Sequence, residues 1–86
     1  QRSTVMSEPA VEIEYCVPCG FLDRAVDVQR ALLERFGERL DRVALVTGDH
    51  GVFEVRVEGE PVFEKGDEYD VEGIADDVAE RVGATA

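Results

Sequence analysis

The chain has no tryptophan, one methionine, one histidine, one lysine and only two cysteines in 86 residues. It holds no apolar run long enough to span a bilayer and shows no secretory signal pattern, so a membrane span is not expected and a cytoplasmic location is. With Lys65 as the single lysine, twenty acids stand against nine bases, a formal net charge of -11. A surface of that sign is repelled by phosphate backbones and by anionic lipids. Nucleic acid and membranes are therefore not expected as partners. The scarcity of soft ligands bears on metals as well. A closed zinc site takes four ligands, and one C-x-x-C supplies two. His50 is the only other strong soft ligand, unless two chains pool four thiolates.

What is present argues for one small folded domain, near the size at which a single core becomes marginal. High net charge can prevent collapse. Against that stand a hydrophobic content of 44% and clear periodicities. Dense acids with almost no lysine also fit a very salty cytoplasm, such as that of a halophilic archaeon, where concentrated salt screens the repulsion. Residues 1–10 are polar and patternless and are expected to form a disordered tail. Residues 1–5, which precede the one methionine, Met6, are read as remnants of expression. The domain is expected over residues 11–83, without repeats, low-complexity segments or linkers.

Val11 to Tyr15 alternates apolar and polar residues, a strand signal. From Phe21 the period changes. Leu22, Ala25, Val26, Gln29, Leu32, Leu33 and Phe36 recur at three- and four-residue spacings, and Gly37 marks a stop. Asp23, Asp27, Arg30 and Glu34 fall on the other side of this helix. Val43 to Val46 reads as a buried strand, and Thr47 to Gly51 as a glycine-rich loop. Val52 to Val57 and Pro61 to Glu64 read as a hairpin about Glu58-Gly59-Glu60. Lys65 to Tyr69 is a polar loop. Asp70 is placed to cap a last helix that buries Val71, Ile74, Ala75, Val78 and Val82 and stops at Gly83. The order β-α-β-β-β-α implies a mixed four-stranded sheet with two helices, an α/β (α+β) arrangement whose first unit is parallel.

On this map the motif YCVPCGF spans the turn from first strand to first helix. At a helix start the unpaired amides and the helix dipole stabilise an anion, so a thiolate there is expected to be more acidic. Two intervening residues let Cys16 and Cys19 close a small ring, and Pro18 is expected in the first helical turn, stiffening it. Redox chemistry is the leading reading of a C-x-x-C at such a junction. A metal half-site and a structural staple stay open, although a staple this short constrains the unfolded chain little. His50 is either a solvated loop residue or, if its loop faces the dithiol, a group that stabilises a thiolate or relays a proton. Gly51 and Gly48 either let a partner approach closely or make the turn. Tyr15 and Phe21 read as packing.

The segments YCVPCGF, GVFEVRVEGEPVFEK and GDEYD resemble the selenoprotein W-like group of the Rdx family, over nearly all of Val11 to Val82. The resemblance implies a thioredoxin-like fold. It also implies a thiol oxidoreductase working through Cys16 and Cys19; no organic cofactor or metal is expected for that chemistry. Its expected partners are protein disulfides or low-molecular-weight thiols, and a reductase that reopens the bond. Selenium-containing members carry selenocysteine where this chain has Cys19. Thioredoxin logic instead makes the first cysteine the attacker, and the usual accessibility of that position favours Cys16. The loop Thr47 to Gly51 lacks the proline that faces the dithiol in thioredoxin, which argues against thioredoxin's handling of unfolded proteins. The runner-up function is a redox-sensing interaction module without significant turnover. A monomer or weak dimer is expected, since a small sheet leaves edges unpaired.

The charge reading has a direct test. Resistance to denaturant should rise from dilute to molar salt as the repulsion among twenty acids is screened. Equal stability at both ends of a salt series would remove the halophilic interpretation.

Overall fold

The computed structural model describes residues 8–64 and 69–85. Strand β1 (Ala10–Cys16) leads to helix α1 (Leu22–Phe36) and a 3₁₀ turn over Gly37–Arg39. Strands β2 (Arg42–Gly48), β3 (Phe53–Val57) and β4 (Glu60–Glu64) follow, then helix α2 (Val71–Thr85). The sheet order is β2-β1-β3-β4. β1 runs parallel to β2, with Val11 opposite Val43, and antiparallel to β3, with Ile13 opposite Val55. This is the thioredoxin-like βαβββα arrangement expected from the sequence.

Of the expected tail, residues 1–7 lie outside the described residues, and Ala10 already belongs to β1. Most of the polar loop, 65–68, also lies outside them. α2 continues through Gly83 to Thr85, past the expected stop. A glycine can end a helix by taking a positive φ, as Gly37 does at the end of α1 with φ 53°.

Alternation puts Val11, Ile13 and Tyr15 of β1 and Phe53, Val55 and Val57 of β3 on one face of the sheet. Both helices pack there. α1 contributes Ala25, Val28, Leu32 and Phe36, and α2 contributes Ile74, Ala75, Val78 and Val82. Asp70 accepts a hydrogen bond from the Gly73 amide at 3.3 Å and so caps α2, as its position suggested.

The apolar face of α1 lies differently from expectation. The buried line runs through Val28, which the sequence reading passed over, while Leu22 and Leu33 are 48% and 45% exposed. The apolar residues of α1 form two adjacent stripes, and the sheet covers one. The second stripe holds Leu22, Val26 and Leu33 with the polar Gln29, which reaches β2. There the Gln29 amide donates to the Val43 carbonyl at 2.8 Å.

Among the described residues, no helix covers the other face of the sheet. Arg56 of β3 reaches Glu12 at 3.2 Å, Glu14 at 3.0 Å and Glu54 at 3.2 Å. Its guanidinium is held above its ordinary pKa, first by the hydrogen bond to Glu14, with Glu12 and Glu54 adding to this against partial burial. Without Arg56 three carboxylates would face one another across two strands, an unfavourable pairing of like charges.

The two-stripe geometry separates neighbouring leucines. Leu32→Ala, at a side chain with no exposure, should lower urea-unfolding stability by about 2–5 kcal/mol. Leu33→Ala should change it by less than about 0.5 kcal/mol. Equal losses would contradict the assigned helix face.

Candidate redox site

The site begins where β1 runs out. Cys16 is the last residue of β1, and Val17 to Gly20 turn the chain toward α1. The Gly20 amide donates to the Val17 carbonyl at 3.1 Å, which closes the turn. Pro18 is its second residue, where a fixed φ suits the geometry. Gly20 leaves the turn with φ 80°, a conformation that strains a residue with a Cβ. Pro18 was expected inside the first helical turn. Instead, α1 starts at Leu22 with Phe21 at its N-cap position, so both cysteines precede the helix. No side chain caps that helix start. The motif needs its own turn because the strand direction must change before the helix can lie back on the sheet.

Cys16 and Cys19 are joined by a disulfide, with Cα atoms 5.3 Å apart. The two sulfurs are not equivalent. Cys16 has no exposed surface, whereas Cys19 is exposed. The accessibility argument that favoured Cys16 as the attacking residue is thereby reversed. Cys16 closes β1, and its neighbours on both sides are strands. Cys19 stands at the tip of the turn, beyond the sheet.

The backbone of Cys16 is fixed from both sides. β2 and β3 flank β1, so the segment joining them must cross the end of β1. It does so at Asp49 to Val52. The Cys16 amide donates to the Val52 carbonyl at 2.8 Å, and the Val17 amide to the Gly48 carbonyl at 3.0 Å. His50 and Gly51, with φ 59° and 78°, form the corners of this crossing, and the Val52 amide returns to the Asp49 carbonyl at 3.3 Å. Two successive positive φ values describe a type I′ turn, in which glycine is favoured and histidine is tolerated.

The loop thus lies beside the cysteines, as thioredoxin-type topology implied. His50 itself points elsewhere: its ring Nδ1 lies 2.7 Å from Asp49 Oδ1, and its side chain is 90% exposed. Gly48 has a tighter requirement. A Cβ there would lie 2.8 Å from both Glu14 Oε2 and Val52 Cγ1. Glu14 uses its other carboxylate oxygen to hold Arg56.

Beneath the turn lies an aromatic base that the sequence reading missed in part. Phe21 meets Phe53 edge-on at 6.1 Å, and Phe53 meets Tyr69 at 5.8 Å. The Arg24 guanidinium lies 4.9 Å from the Phe21 ring centre and 5.0 Å from that of Tyr69, and the Tyr69 hydroxyl donates to the Arg24 carbonyl. Burial, with the nearby Asp27 carboxylate, raises the pKa of the Tyr69 phenol, while Arg24 acts the other way. This stack ties the start of α1 to the segment just before α2. Tyr69 looked like part of a polar loop. Its appearance in GDEYD was the available signal.

Val17 and Leu22, on either side of the turn, are 51% and 48% exposed. The hollow between α1 and α2, about 240 Å³ and lined by Ala31, Glu34, Arg35, Glu72 and Ala75, belongs to the far half of α1. Among the described residues no group of three or more histidine, cysteine or acidic side chains is placed to hold a metal. No helix among them is long and apolar enough to cross a membrane.

Residues 10–80 match the family model described as Rdx family. A crystal structure of a protein from Bordetella parapertussis superposes with a TM-score of 0.82 at 32% identity, covering 86% of this chain and 98% of that one. A crystal structure of a selenoprotein W-related protein from Vibrio cholerae gives a TM-score of 0.81 at 26% identity, covering 87% and 98%. No curated protein matches the sequence significantly.

The unequal burial of the sulfurs predicts unequal alkylation. In reduced protein, iodoacetamide should label Cys19 in Cys16→Ser much faster than Cys16 in Cys19→Ser. Comparable rates would mean that the reduced site opens Cys16 to solvent.

Proposed function

The chain belongs to the Rdx family, and from that premise we propose that it is a redox-responsive protein-interaction module built on the Cys16–Cys19 bond. The observation that carries this reading is the asymmetry of the pair, one cysteine exposed and the other closed in at the end of β1. In the reduced state, the exposed Cys19 thiolate attacks a partner's disulfide, releasing one of its two thiolates and forming a mixed disulfide. Cys16, 5.3 Å away between Cα atoms, resolves it and leaves the internal bond. A reductase then restores the dithiol. Formation and loss of this bond tighten and release the turn Val17 to Gly20, which is the surface a partner meets.

The exposed Val17 and Leu22 beside the pair support a protein partner over a free small thiol, since an apolar rim of this kind gains by covering. Pairing of His50 with Asp49 supports the solvated reading of that histidine and gives no support to a proton relay at the sulfurs. Pro18 acts by shaping the turn, and Gly51 by letting the loop cross β1.

A thiol–disulfide oxidoreductase with steady turnover is the second reading. The same exposed Cys19 at a strand–helix junction favours it. Stoichiometry separates the two. Given excess of a small disulfide, a sensor oxidises once and releases two small thiols per chain. An enzyme, supplied with a reductant that reopens its bond, consumes disulfide continuously above the uncatalysed rate. We expect a single turnover, abolished in Cys19→Ser and arrested at the mixed disulfide in Cys16→Ser. Sustained acceleration by the wild-type chain would make the oxidoreductase the better description, and failure to form any internal bond would remove both.

A further inference from the structure

The surroundings of the exposed sulfur discriminate among partners by charge. Exposed acids follow Leu22 along α1 and stand in the loop that is hydrogen-bonded to Val17. Asp23 and Asp27 stand exposed on the first two turns of α1. Asp49, with its side chain 70% exposed, sits in the loop whose Gly48 and Val52 carbonyls hold the backbone of Val17 and Cys16. The cation nearest the turn in sequence is Arg24, and its guanidinium lies over the Phe21 and Tyr69 rings. The rest of the chain adds to the same sign, with a formal net charge of -11.

Resting on the redox reading above, we propose that this surface docks a basic protein segment in which the exchanging cysteine lies beside an apolar residue, and that it disfavours acidic thiols. The apolar neighbour covers Val17 and Leu22, and the basic flanks meet Asp23, Asp27 and Asp49. Attraction of this kind acts within about 8 Å at physiological ionic strength and raises association rates most at low salt.

The exchange balances. The Cys19 thiolate attacks a partner disulfide R–S–S–R′, forming Cys19–S–S–R and releasing R′–S⁻. The Cys16 thiolate then attacks the Cys19 sulfur, forming the internal bond and releasing R–S⁻. Two electrons pass from the dithiol to the partner disulfide. The two protons of the protein thiols end on the two released thiols.

The test uses the full reduced chain and three disulfide-linked peptides. In each, a leucine stands beside the cysteine, and the flanks are lysine, serine or glutamate. Dithiothreitol serves as the reference thiol, because any thiolate reacts faster with a cationic disulfide. At low ionic strength the lysine-to-glutamate rate ratio should exceed that of dithiothreitol on the order of tenfold, and the excess should vanish in molar salt. The pair Asp23→Asn and Asp49→Asn should reduce the excess. The pair Val17→Ser and Leu22→Ser should slow all three peptides while keeping the ratio. All four side chains are exposed, so folding does not depend on them.

A ratio equal to that of dithiothreitol overturns the charge selection while leaving the redox reading intact, provided the internal bond forms. A full excess in the asparagine variant overturns the assignment to these acids. No internal bond with any peptide overturns the redox reading itself.

Discussion

The arrangement depends on one pair of main-chain hydrogen bonds at the end of β1. β1 lies inside the sheet, with β2 on one side and β3 on the other, and the chain goes from β2 to β3 directly. The only short path crosses the C-terminal end of β1. There the Val52 and Gly48 carbonyls take the amides of Cys16 and Val17. A buried amide left unpaired would cost more than these bonds contribute, so the crossing and the strand end specify each other. The first cysteine is thereby held inside the sheet. The next residues must turn outward before α1 can begin, and the second cysteine is carried out with them. Inequality of the sulfurs is therefore a consequence of strand order.

The aromatic stack beneath the turn supplies the second support. Phe21 follows the turn directly, and its ring is held by Phe53 from the sheet and Arg24 from α1. Tyr69 closes the stack from the far end of the chain. The turn is thus anchored at its start by backbone hydrogen bonds and just past its end by rings. Between these anchors lie Val17 to Gly20. The Rdx family match spans the anchors as well as the cysteines, since it covers residues 10–80.

Much of this was legible in the sequence because it is local. Alternation in Val11 to Tyr15, the Glu58-Gly59 turn, the Asp70 cap and the junction position of C-x-x-C each depend on residues a few positions apart. What was not legible depends on pairing across the chain. Cys16 looks like the accessible member until β2 and β3 are laid on either side of it. Leu33 looks like core and Val28 does not, because the sequence shows a broad apolar face and only the sheet decides which stripe it covers. Arg56 gives no sign of its partners until the register puts it opposite Glu12. His50 could be placed near the cysteines by topology, but the direction of its ring is set by Asp49 beside it.

Gly48 joins the two ends of this arrangement. One oxygen of Glu14 lies against the space where its Cβ would be, the other holds Arg56, and Val52 closes the remaining side. A side chain at 48 must displace Glu14 or Val52, and displacing Glu14 loosens the grip on Arg56 on the uncovered face. Positions 14, 48, 52 and 56 are thus not free to drift one at a time. A larger residue at 48 therefore has to be met by a shift of Glu14 or Val52, or by a shorter side chain at one of them, which couples the choice of residue at these positions.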